Sequence, residues 1–118
     1  MKNNNREVIK DLMTAIENKM KELVPEMLKD EQLEWFIEWI SDEVEDIRSD
    51  EEDAFFSMPE SIQDSVDGEI LQECISLLYD ARVLADALVD EMSEEITIEE
   101  FRRRVDDIYD LLGEVVDA

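Results

Sequence analysis

Apolar residues recur along the chain at three- and four-residue intervals, the spacing of helices that each bury one face. The first stripe is Val8, Ile9, Leu12, Met13, Ile16, Met20, Leu23 and Val24. It predicts a helix from near Asn5 to Val24, ended by Pro25, whose ring cannot continue it. In a second stripe, Leu33, Phe36, Ile37, Ile40, Val44 and Ile47 fall within about 100° of arc at about 100° per residue. Asp30 stands where its N-cap belongs. Trp35 and Trp39 leave that arc and lie side by side on roughly the opposite face, among Glu31, Glu34, Glu38 and Asp42. They are either exposed anchors or part of a helix covered on both faces.

Ser49 or Asp50 is placed to cap a short third helix through Phe55 and Phe56. Ser57-Met58-Pro59 punctuates the chain, and Pro59 suits the first position of a new helix. That segment runs to Val66, where Asp67-Gly68 is expected to break it. From Glu69 to Met92 the apolar arc widens to about half the circumference, as in the central helix of a bundle. Thr97 and Glu100 fit a capping box at the start of the last helix. Its buried stripe is Phe101, Val105, Ile108, Tyr109, Leu112, Val115 and Val116. No internal repeat and no low-complexity linker divides the chain. The expected architecture is all-α: a compact single-domain bundle, residues 1–118, of about four main helices plus short connecting helices.

Composition agrees with that pattern. Hydrophobic residues make up 44% of the 118, enough for a core, so the chain is no disordered acidic tail. Two Gly and two Pro are too few for the hairpins of an all-β fold. Charge changes the picture more. There are 35 Asp and Glu against 11 Lys and Arg, a formal charge of −24. Residues 1–30 hold six of each sign, so the whole excess lies in residues 31–118, which contain no Lys. The densest run, Glu31 to Asp53, carries 11 acids and one Arg. As helix at about 1.5 Å per residue it spans about 35 Å, close to one net charge per 3.5 Å, against one per about 3.4 Å on a DNA strand. Such density repels itself and destabilises a compact fold, and solubility alone asks for a charge magnitude of only about 2–8. The negative surface is therefore the main functional clue.

Several functions are excluded. The chain has no His, so it has no His-based catalysis or metal site, and its single Cys74 allows no internal disulfide and no Cys-based zinc site. Its charge argues against direct binding to nucleic acid or to an anionic membrane. The start of the chain lacks a signal-peptide pattern, and no run of about 18 apolar residues occurs, so a soluble cytoplasmic protein is expected. Asp106-Asp107-Ile108-Tyr109-Asp110 matches an aspartate-rich metal motif, which arises easily in so acidic a chain. Glu34, Glu38, Glu43 and Asp46 form a further carboxylate set, without basic residues to meet phosphates. Aligning Gly68 with the invariant glycine of an EF-hand puts Gln63 and Cys74 at ligand positions, which fails. No enzyme activity and no cofactor is expected. Arg102, Arg103 and Arg104 are read as neutralising Glu99, Glu100, Asp106 and Asp107, and Cys74 as buried and inert. The near-neutral first helix either packs on the acidic body or pairs two copies as a homodimer.

In size, helicity and charge the chain resembles the small acidic phage proteins that block restriction or CRISPR enzymes, with no diagnostic motif to carry the likeness further. It implies an inhibitor that occupies the nucleic-acid site of a basic protein by charge and bulk, without chemistry. The contact set expected from the sequence is Glu31, Glu34, Trp35, Glu38, Trp39, Asp42, Glu45, Asp46, Asp50, Glu51, Glu52 and Asp53. The alternative is an acidic adaptor, antitoxin or chaperone that holds a basic protein without imitating nucleic acid. Salt adaptation of a housekeeping protein is a third explanation, opposed by the many large aliphatic residues and the lysines of the first helix.

Overall fold

The computed structural model describes residues 1–118, all helix and connections. Helix α1 (Asn3–Glu22) is followed by a 3-10 turn (Pro25–Lys29), α2 (Glu31–Phe56), α3 (Glu60–Gln63), α4 (Val66–Met92) and α5 (Ile98–Asp117). The all-α expectation holds, with four long helices and two short helical connectors. One cluster of 19 buried residues joins all four long helices. In α2 it takes Leu33, Ile37, Ile40, Val44 and Ile47, each stabilising the fold by about 1.5–3 kcal/mol relative to exposure. Cys74, Leu78, Ala81, Ala85 and Leu88 of α4 lie fully buried at the centre, as the broad arc predicts. Met13, Met20, Met27 and Met92 pack at its edge.

Packing order differs from chain order. The α2–α4 pair is the most extensive, α5 lies against α4, and α1 lies against α5. Helices α1 and α2 touch only sparsely, so the bundle has a weak seam. Polar groups latch it near one end. The Lys2 amide donates to Glu51 Oε1 at 3.1 Å, and Asn5 Nδ2 donates to Asp50 at 2.8 Å and to Glu51 at 2.5 Å. Towards the other end Lys19 Nζ sits 5.3 Å from the Phe36 ring centre, a cation–π contact. The apolar stripe of α1 (Ile9, Leu12, Ile16) is spent inside the chain. The body is elongated, 52 × 23 × 19 Å, with a radius of gyration of 15.5 Å. A compact chain of this length would have about 13.5 Å.

Five local expectations are corrected. No helix boundary occurs at Ser49 or Asp50; α2 runs on to Phe56 because Ile47, Glu51 and Phe55 continue its inward stripe at four-residue steps. Asp67-Gly68 does not end a segment but lies in the first turn of α4. Ser65 is the N-cap, accepting from the Gly68 amide at 3.3 Å. Pro59 is the N-cap residue of α3 and not its first helical residue. Only half of the capping box forms: Thr97 accepts from the Glu100 amide at 3.1 Å, while the Glu100 carboxylate turns to Arg103 and Arg104. Val24 is exposed, beyond the end of α1.

Candidate functional site

Helix α2 positions the candidate residues. Its inward positions are fixed by the core, which leaves the opposite stripe to Glu31, Trp35, Glu38, Trp39, Asp42, Asp46 and Asp53, all exposed. Glu34 and Glu43 flank it, half-buried. Trp35 is 58% exposed and Trp39 42%, so this helix is not covered on both faces. The Trp39 ring lies 5.8 Å from that of Phe36, whose own side is held by Lys19, so one of the two indoles is braced from below. None of the acids of this stripe has a cation within ion-pair distance.

The other expected residues are engaged elsewhere. Glu51 is 1% exposed and faces inward, where it accepts from the Lys2 amide and from Asn5. It ties α1 to α2 and takes no part in the outer face. Asp50 accepts from Asn5 and from Lys2 Nζ at 3.1 Å, and these bonds lower its pKa, Asn5 contributing most. Arg48 binds Glu45 at 2.6 Å and also pairs with Glu52. Arg82 of α4 reaches Glu45 at 3.3 Å and Asp86 at 3.5 Å. The hydrogen bond from Arg48 is the main reason the Glu45 carboxyl is held below its usual range. With Ser41 Oγ donating to Asp86 at 2.5 Å, these groups strap α2 to α4.

The charge spacing changes accordingly. Of the 11 acids from Glu31 to Asp53, Glu45, Asp50 and Glu52 are paired and Glu51 is buried. The free ones stand about 5 Å apart along the axis, at about 1.5 Å per residue. That is sparser than the sequence count, and it does not copy phosphate spacing charge for charge. Across the whole chain six cations pair with seven acids: Glu7, Glu45, Asp50, Glu52, Asp86, Glu91 and Glu100. The other 28 acids have no such partner.

The basic cluster on α5 divides. Arg103 and Arg104 share Glu100, and Arg104 also reaches Glu91 of α4 at 2.8 Å, while Arg102 has no ion pair. Asp106, Asp107 and Asp110 are exposed on α5. No three acid or thiol side chains converge as they would to hold a metal ion. Cys74 is buried, and burial pushes its thiol pKa up. No helix is long and apolar enough to cross a membrane. Sequence pattern did not single out Phe56, Tyr79 and Val83 as exposed apolar residues. The signal for the last two was available, since both fall on the arc of α4 opposite Cys74 and Leu78. Compared with protein-family models, curated proteins and solved structures, the chain matches none.

Proposed function

We propose that the protein is an acidic inhibitor that sets the outer face of α2 into the nucleic-acid site of a basic protein and blocks it by charge and bulk. The observation that carries this is the uncompensated stripe itself. Its acids lie on one rigid helix and are free of the protein's own cations, while two indoles project among them. Lys and Arg that would meet phosphates meet Glu31, Glu38, Asp42 and Asp46 instead, and the field speeds the encounter. Trp35 and Trp39 supply the apolar anchor that charge lacks, as aromatic residues do at interface hot spots. The spacing makes this groove filling and not a charge-by-charge copy. In size, helicity and charge this is the manner of phage anti-restriction and anti-CRISPR proteins, and a host cytoplasm would be the setting.

The test is capture from a cell lysate on three baits: the protein, its Glu38→Lys/Asp42→Lys/Asp46→Lys variant, and an unrelated protein of equal charge. A nucleic-acid-binding protein should stay on the first bait alone through a rising salt ramp. Equal retention on all three would show that charge without arrangement does the binding.

A further inference from the structure

The α2 stripe leaves two exposed aromatic residues unexplained. Phe56 is 68% exposed and Tyr79 51%. Both line an open groove of about 460 Å³ between the end of α2 and the middle of α4, with Phe55, Ile75, Arg48 and Glu52. The two phenyl rings at its end meet edge to face, centres 5.5 Å apart, one buried and one turned out. The one cation of the lining, Arg48, is already held by Glu45 and Glu52. From Ser49 to Ala81 the chain has ten acids and no Lys or Arg, and most of both groove walls comes from this stretch. Gln72 and Ser76 complete the lining, so four apolar side chains share the slot with four polar ones, in a field of one sign.

We propose that this groove is a second docking site, which takes a large apolar side chain carried on a Lys- and Arg-rich segment of the basic partner. Charge complementarity selects that occupant. A second copy of the chain would bring another −24 and be repelled, as would nucleic acid or an anionic membrane. The volume suits it: cavities of about 300–1,000 Å³ hold small ligands, so an aromatic or leucine side chain fits with room for its backbone. The acids steer and orient the segment, and the buried anchor holds it. The inference rests on the preceding reading for the sign of the partner's charge, but not for the role of the α2 stripe.

Two synthetic peptides of about 18 residues and equal positive charge serve as probes: one a Lys/Leu amphipathic helix with a single Trp, the other with Ser in place of Leu and Trp. Each is titrated into the whole ¹⁵N-labelled protein at about 0.15 M and at about 1 M salt, where charge attraction is screened. The apolar peptide should bind at both, and shift the amide signals of Phe56, Ile75 and Tyr79. The Ser peptide should let go at high salt. Phe56→Gln and Tyr79→Gln, both at exposed positions, should each weaken the apolar peptide about 30-fold as hot-spot truncations do. Val83→Gln, outside the lining, should not. Equal high-salt binding of the two peptides overturns the inference, as do shifts confined to Glu31–Asp46 or unchanged affinity in both groove variants. High-salt binding lost in the α2 triple-Lys variant and kept in the groove variants also overturns it, while sparing the proposed function. High-salt binding lost in the groove variants alone supports it whatever becomes of the α2 stripe.

Discussion

A β-carbon on Gly68 would stand 2.2 Å from the Gln63 carbonyl oxygen, closer than any contact can be. Backbone meets backbone there, so nothing flexible can yield. Gly68→Ala should lower stability by about 1–3 kcal/mol through overpacking, although alanine is the better helix former by about 1 kcal/mol. A urea midpoint at or above wild type would show that the approach is looser. Cys74, buried among α4 core residues, should react with a thiol reagent only as fast as the protein unfolds. Rapid labelling in native buffer would contradict its burial. At this scale the sequence was partly legible. Asp30 and Thr97 are caps because their short polar side chains fit the first turn, which local sequence specifies. Gly68 misleads, because Asp-Gly has the chemistry of a turn, while what requires glycine is the local path from α3 into α4, which folds the Ile62 and Gln63 carbonyls back onto it. Glu51 was readable from its four-residue spacing to Ile47 and Phe55, but it is hidden inside a run of four acids.

Helix α2 carries the functional claim. Its last turns hold Asp50, Glu51, Glu52 and Asp53, at the end where the helix dipole disfavours negative charge. Lys2, Asn5 and Arg48 offset three of the four. The acid latch between α1 and α2 is therefore part of what lets so acidic a helix continue to Phe56. Continuity has a clean signature at Ser49, which is exposed in mid-helix. Ser49→Ala should stabilise the protein by about 0.5 kcal/mol through helix propensity. Loss of a helix cap there would instead cost about 0.5–2 kcal/mol, visible as an opposite shift in the thermal midpoint. The inward stripe of α2 was legible because apolar spacing is a property of the sequence. The division of its acids into free, paired and buried was not, because Arg48 and Arg82 choose their partners only once α2 and α4 are packed.

For the whole molecule the cost of −24 is mutual repulsion within a body only 19 Å across at its narrowest. Added salt should therefore raise the melting temperature, as screening reaches charges about 10 Å apart at 0.1 M. A midpoint that ignores salt would mean that the carboxylates are already balanced. Acid acts through specific groups as well. Glu45 is lowered from 4.5, first by its hydrogen bond to Arg48, so the unfolded chain takes up that proton before the folded one. The stability it contributes is full above about pH 4.5 and fades as the pH falls through the lowered value. Glu45→Gln should lose less stability than wild type between pH 6 and pH 3, compared by denaturant midpoint at about those values. Equal losses would remove Glu45 from the acid response. The elongated shape and the weak α1–α2 seam were beyond the sequence, since periodicity says which face is buried and not which helix covers it.

Exclusion of nucleic acid from the partner is what the proposed function requires, and displacement reads it. The protein captured by the α2 face would be bound to its own fluorescently labelled DNA or RNA, and anisotropy followed as the acidic protein is added. Anisotropy should fall to that of free nucleic acid with one-to-one stoichiometry, and the Glu38→Lys/Asp42→Lys/Asp46→Lys variant should leave it unchanged. If anisotropy instead rises, because a ternary complex forms on the still-occupied partner, the α2 face does not enter the nucleic-acid site and the protein is an adaptor.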